Sequence, residues 1–143
     1  MSKAIWFDMD GTIANLYGVK NWLEMLQAED PTPYKKATPL INMQSLARIL
    51  NRLQREGYEI GIISWLSMNG SAEYGEQVAR AKREWLAKHL ASVRFDYIDI
   101  VEYGTPKQIN RNGILFDDEE KNRRNWGKNA FDEKRILEVL RTL

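Results

Sequence analysis

Residues 4–15 read AIWFDMDGTIAN. An apolar run ends at Asp8, a second acid follows at Asp10, and the chain turns at Gly11. A carboxylate held away from water without a partner is costly, so two acids at the end of a buried strand need a partner or a use. A second pair, Asp117 and Asp118, ends the apolar run ILF. Four carboxylates at one rim cannot all stay ionised without compensation, which a divalent cation would supply. A ligand set made only of oxygen suits Mg2+, which keeps waters and takes substrate phosphate oxygens as further ligands.

The elements that must gather these acids can be read from the spacing of apolar residues. Short runs at residues 3–8, 58–63, 96–101, 113–116 and 130–131 predict strands. Runs this brief suit a parallel sheet covered on both faces. Between them, Leu46, Ile49, Leu50 and Leu53 keep helical spacing, and Gly57 follows as a stop. Val78, Ala81, Trp85 and His89 share the face of another helix. Ile136, Leu137 and Leu140 mark a last one, with Asp132 as its N-cap. The alternation predicts a doubly wound α/β domain with a mostly parallel sheet. In such sheets ligands collect at the carboxyl ends of the strands, where Asp8, Ser64 and Asp117 fall. The expected neighbour order is fourth, first, second and third strand, which gathers those three ends around a central first strand.

Residues 15–39 interrupt the alternation. Val19, Trp22, Leu23 and Leu26 have helical spacing, EDPTPY then breaks the helix, and Gly18, Pro31 and Pro33 mark the limits of the unit. The expectation is one domain over residues 1–143, with residues 15–39 a small helical insertion after the first strand. That insertion is either a minimal cap beside the site or a structural loop packed on the core.

These segments resemble, in order and along nearly the whole chain, the haloacid dehalogenase-like superfamily of phosphohydrolases, in the manner of its small bacterial and phage-type members. FDMDGT is similar to the first motif of that superfamily, IGIIS to the second, ending in Ser64, and ILFDD to the fourth. The third is a lysine ahead of the fourth; Lys107 in YGTPKQI matches best in placement, with Lys82 and Lys88 as rivals. The resemblance implies a Mg2+ site and residue roles. Asp8 would attack phosphorus and form an aspartyl phosphate. Asp10 would protonate the leaving oxygen, then activate the water that clears the intermediate, while its backbone carbonyl ligates the metal. Thr12 would position Asp10 or the phosphate, Ser64 would donate to the phosphoryl group, and Lys107 would balance charge on Asp8 and on the transferring phosphate. Asp117 or Asp118 completes the metal shell alongside Asp8; the motif does not say which. Dehalogenating relatives lack the second Asp of the first motif, so Asp10 points to phosphoryl transfer.

AKREWLAKHL followed by Lys107 also resembles the 5′(3′)-deoxyribonucleotidase branch, which makes a nucleotide one candidate substrate. Trp22, Tyr34 and Trp65 could stack on a base or pack the core and insertion. Trp65, directly after Ser64, is bulkier than that branch would suggest. Glu119 and Glu120 read as a surface acidic run, KNRRNW (residues 121–126) as a solvated turn or a basic patch facing phosphate, and His89 as a partly buried, satisfied histidine.

Composition bounds the alternatives. A chain of 143 residues with 43% hydrophobic and 29% charged residues suits one ordinary globular domain. Formal net charge is +1, so no general electrostatic attraction draws it to nucleic acid or to a membrane surface. No cysteine is present, which excludes disulfides and thiolate metal sites. The first residues lack the basic and apolar regions of a signal peptide, and no apolar run approaches the ~18 residues of a membrane helix, so a cytoplasmic protein is expected. Three functions fit: a Mg2+-dependent phosphatase of small phosphorylated metabolites, a phosphatase acting on a nucleic-acid end through an open site, and a silent phosphate-binding module. The near-neutral charge argues against the second, and intact Asp8 and Asp10 against the third.

Overall fold

The computed structural model describes residues 3–143. Its elements run β1 (Ala4–Phe7), β2 (Ala14–Asn15), a 3-10 turn (Leu16–Gly18), α1 (Trp22–Gln27), α2 (Thr32–Lys36), β3 (Thr38–Pro39), α3 (Met43–Arg55) and β4 (Glu59–Trp65). There follow α4 (Ala72–His89), β5 (Tyr97–Val101), β6 (Ile114–Phe116), α5 (Glu120–Trp126), β7 (Ala130–Phe131), a 3-10 turn (Glu133–Arg135) and α6 (Ile136–Leu140). The architecture is α/β and doubly wound. Five strands form a sheet in the order β5-β4-β1-β6-β7, and each pairing in it is parallel. The strands expected from the sequence are all present, in the expected order with the first central. Among the described residues no helix is long and apolar enough to cross a membrane.

Alternation along β1 divides the core in two. Ile5 and Phe7 join Ile60 and Ile62 of β4 and meet Leu46, Leu50 and Leu53 of α3, Trp85 of α4 and Ile136 of α6. Each of these leucines is fully buried, worth about 1.5–3 kcal/mol apiece relative to exposure. Ala4 and Trp6 point the other way and pack with Ile63, Leu115 and Trp126 of α5. Helix α3 starts where Asn42 Oδ1 accepts from Ser45 N at 2.9 Å, and ends ahead of Gly57, whose φ of +97° no β-carbon residue adopts cheaply. In α6 the buried positions are Ile136, Val139 and Leu140; Leu137, expected inside, is only partly covered, because a 3-10 turn precedes the helix and rotates its inner face.

The interruption of the alternation has a more specific form than its sequence suggests. β2 and β3 pair antiparallel, Ala14 with Pro39 and Asn15 with Thr38, and so clasp the intervening segment at its stem. Two short helices lie within. Pro31 and Pro33 were expected to close the unit; they instead start α2, Pro31 as its N-cap residue, because proline lacks only an N–H that a first helical turn leaves free anyway. Helix α1 has no fully buried residue: of the apolar face read for Val19, Trp22, Leu23 and Leu26, Val19 packs on the main core and Leu26 on the Tyr34–Tyr74 cluster, while Leu23 is 48% exposed. The second half is anchored instead. Tyr34 and Leu16 pack on Tyr74, Val78 and Ala81 of α4, Trp85 Nε1 donates to Ala37 O at 2.8 Å, and Ser71 Oγ donates to Glu29 Oε1 at 2.6 Å.

Candidate active site

Strand register aligns the two acidic pairs. Phe7 of β1 stands opposite Phe116 of β6, so the next residues, Asp8 and Asp117, leave the sheet side by side at its carboxyl rim. Asp8 N donates to Phe116 O at 2.9 Å, and Asp117 N to Phe131 O at 3.0 Å, which carries the ladder one residue past each strand. The chain direction also reverses here: from β1 it runs out to β4 and β5, then returns to β6 and β7 on the other side. A crevice at such a switch point is the usual ligand site of an open α/β sheet.

After Asp8 the chain coils on one carbonyl. The amides of Thr12, Ile13 and Ala14 all donate to Met9 O at 3.0 Å. Gly11 sits at φ +81°, and a β-carbon there would collide with the Asp118 carboxylate. Glycine is therefore required twice over, by backbone conformation and by the approach of the second acidic pair.

Two buried lysines divide the carboxylates. Lys107, on the loop after β5, donates to Asp8 Oδ1 at 3.0 Å and to Asp117 Oδ2 at 2.7 Å. Lys82, on α4, donates to Asp10 Oδ2 at 3.0 Å, Ser64 Oγ at 2.7 Å and Trp65 O at 2.6 Å, which uses all three of its protons. Both ammonium groups are almost wholly buried, and Lys88 is exposed. Burial works against the charge of Lys107, but Asp8 and Asp117 outweigh it and hold that ammonium charged above the usual lysine range. Ser64 lies inside β4 rather than at its tip. Because Lys82 can only donate, Ser64 Oγ accepts from it, and the hydroxyl proton stays available to another acceptor.

Three carboxylates, Asp8, Asp117 and Asp118, each offer an oxygen within 4.8 Å of the others. Burial, then the charge of Asp8, pushes Asp117 up to about 6. Burial and the adjoining Asp8 carboxylate push Asp118 up to about 8. Neighbouring acids with raised affinity for protons are a site short of positive charge, and oxygen donors alone fit a hard divalent cation. The Asp10 carboxylate stands outside this trio, committed to Lys82; burial raises its pKa and Lys82 opposes the rise. Asp117 accepts three hydrogen bonds, from Lys107 and Asn122 at Oδ2 and from Glu119 N at Oδ1, whereas Asp118 accepts only from Thr12, at Oδ1.

Of the two places expected for Thr12, beside Asp10 or the phosphate, the first does not hold: its hydroxyl reaches Asp8 and Asp118, at 2.8 Å and 3.1 Å, and accepts from Asp118 N. Two participants hold places that the sequence did not assign to them. Lys82 was only a rival for the place Lys107 holds, and Asn122 lay hidden in KNRRNW, which forms α5 rather than a turn. The signal for Lys82 was available: Val78, Ala81, Lys82 and Trp85 share the inward face of α4, and a lysine there needs a buried acid. His89, partly buried, lies against Trp85 with ring centroids 4.4 Å apart.

Above the carboxylates opens a cleft of about 490 Å3, walled by the insertion on one part and by Trp65 to Gly70 and Tyr103 on another. Trp65 Nε1 donates to Thr105 O at 2.8 Å, and Lys107 Nζ lies 5.1 Å from a Trp65 ring centroid. Tyr34, one of the residues that could stack on a base, is buried against α4, with Lys82 Nζ 5.2 Å from its ring centroid.

No protein-family model matches the chain, and neither does any curated protein. Among solved structures, it is similar to a D,D-heptose 1,7-bisphosphate phosphatase from Burkholderia thailandensis, with a TM-score of 0.49 and 14% identity over 86% of this chain and 70% of that one.

Proposed function

We propose that this chain is a Mg2+-dependent phosphomonoester hydrolase of the haloacid dehalogenase-like kind, acting on a small phosphorylated metabolite through an aspartyl-phosphate intermediate. One observation carries the reading: Asp8, Asp117 and Asp118 converge at the sheet rim, with Lys107 bridging Asp8 and Asp117 and with Asp10 held separately by Lys82.

In this reading an oxygen of Asp8 attacks phosphorus as the bond from phosphorus to the ester oxygen breaks. Asp10 gives its proton to the departing alcohol oxygen; its raised pKa supports that role, because an acid poised nearer neutrality keeps a proton to give. Asp10 then takes a proton from water, the water oxygen attacks the same phosphorus, and the bond to Asp8 breaks. The sum is ester and water in, alcohol and phosphate out. Ser64 offers its free hydroxyl proton to a phosphoryl oxygen, and Lys107 offsets the charge on Asp8 and on the phosphoryl group. Asp8, Asp118 and the Asp10 carbonyl are the groups that would hold Mg2+, with Asp117 orienting Lys107. The ion, when bound, supplies positive charge against the phosphoryl oxygens and lets the anionic nucleophile approach an anionic ester.

The test is release of phosphate from a phosphometabolite panel and from 4-nitrophenyl phosphate, with Mg2+ and with chelator, followed by rapid quench and mass analysis of the peptide bearing Asp8. The reading expects metal-dependent turnover and a phosphoryl adduct on Asp8. Turnover that survives chelation, or an adduct on another residue, overturns it.

A further inference from the structure

Seven large apolar side chains are exposed among the described residues, and four of them, Tyr17, Leu23, Met68 and Tyr103, line the one cleft above the carboxylates. Exposed apolar groups scattered singly need no explanation, but a cluster around a concave site marks a surface kept free for a ligand. Two aromatic pairs stand in these walls. Tyr17 meets Trp22 edge-on with centroids 4.9 Å apart, and Trp65 meets Tyr103 at 4.9 Å with planes tilted by 59°. One pair comes from the insertion and the other from the core, so the walls of the cleft offer aromatic surface from two separate elements.

The charges of the cleft are as one-sided as its walls are apolar. Asp8, Asp10, Glu29, Asp117, Asp118 and Glu119 line it, against the single lysine Lys107. Lys107 is bonded to Asp8 and Asp117, and Lys82 behind the floor is spent on Asp10. The positive charge in reach, Lys107 and whatever cation the acids would hold, falls on the floor, where one phosphoryl group would sit. A second anionic group further out would meet Glu29 or Glu119 and no cation. The remaining polar lining is uncharged and includes Gln27, Ser67 and Asn69, suited to uncharged heteroatoms.

We infer that the site selects phosphomonoesters whose alcohol part is flat and largely apolar and carries no second anionic group, and that it rejects bisphosphates and phosphodiester-linked strands. This rests on the phosphatase reading and narrows its substrate class. A cleft of about 490 Å3 has room for such an alcohol. Stacking on aromatic walls favours any flat ring over a bare sugar, and like-charge repulsion selects against the added phosphate.

Three esters that all release a primary 5′-oxygen separate these effects: thymidine 5′-monophosphate, 2-deoxyribose 5-phosphate, which lacks the ring, and thymidine 3′,5′-bisphosphate, which adds one phosphate. The measurement is kcat/KM for release of the 5′-phosphate by the Mg2+-loaded enzyme. The expected result is a preference of at least about tenfold for the monophosphate over each of the others, from one good stacking contact against the sugar phosphate and from like-charge repulsion against the bisphosphate. Tyr103→Ala should shrink the ratio of monophosphate to sugar phosphate, and Glu119→Gln the ratio of monophosphate to bisphosphate. If 4-nitrophenyl phosphate is hydrolysed and either wild-type ratio is one or below, the substrate inference falls and the phosphatase reading stands. If neither 4-nitrophenyl phosphate nor any of the three esters is turned over, both fall together.

Discussion

Asp8, Lys107 and Asp117 form the floor of the cleft with Thr12, Ser64 and Lys82 behind it; all six are buried, and among the described residues no buried side-chain nitrogen or oxygen lacks a hydrogen-bond partner. On its walls, Tyr17, Leu23, Met68 and Tyr103 stand about half in water. The floor puts charged groups where charge is expensive, and does so by pairing each with a specific opposite. The walls put apolar groups where they gain nothing from folding. A buried paired network fixes geometry for one reaction, while a loose apolar wall can change with little effect on stability. Changes to the floor should therefore act on the chemical step, and changes to the walls on recognition of the alcohol part of the ester.

The largest effect that could break this contrast is at Asp8. Asp8→Asn keeps the shape of the side chain and removes the anionic nucleophile, so turnover of every ester, activated or not, should vanish while circular dichroism is unchanged. Residual hydrolysis would rule out a covalent step on Asp8. Asp10→Asn should cost roughly 10²–10⁴-fold on alkyl phosphates and much less on 4-nitrophenyl phosphate, whose leaving group needs no proton. Equal losses on both would take the acid role away from Asp10.

A third prediction concerns the floor without its cation. Asp118, pushed up to about 8 in the folded chain, binds a proton more tightly there than in the unfolded chain. The folded state then carries more protons between the ordinary carboxylate range and that value, so stability falls as pH rises through the interval. Thermal melts of metal-free protein should give a Tm that declines from about pH 5 to pH 8, and Mg2+ should flatten the decline, because cation binding needs the carboxylates deprotonated. A Tm rising over that range in chelator would contradict the crowding of acids at the rim.

The smallest effects fall within the insertion and sharpen the contrast there. Trp22→Ala, on the wall, should shift Tm little and change by several-fold the ratio of kcat/KM between a ring-bearing ester and 2-deoxyribose 5-phosphate. Tyr34→Ala removes a buried ring held between α2 and α4 and should cost about 3 kcal/mol of stability by denaturant titration. If both variants lose stability equally, the insertion is a single packed unit and not an anchored half carrying a free one.

What the sequence determined by itself is the acid-bearing rim of the sheet. Apolar strands that end in polar groups have one rim on which to present them, and the order of strands follows from gathering three such ends, two acidic and one ending in Ser64; FDMDGT, IGIIS and ILFDD were therefore legible as parts of one site. The separation of Lys107 from Asp117, ten residues, kept it within reach of that rim. Partnerships between distant residues were decided only by tertiary structure. Lys82 and Asp10 are 72 residues apart, and nothing local to either states that α4 turns one lysine of its inner face onto the acid beside β1. The same holds for Thr12, whose hydroxyl reaches Asp118 across 106 residues instead of serving Asp10, and for Leu23, whose helical spacing is the same whether its face meets a core or a cleft. Periodicity reports that a side is apolar; only the packing of neighbouring elements decides what covers it, and here Leu26 meets the cluster between α2 and α4 while Leu23, on the same helix, is left 48% exposed.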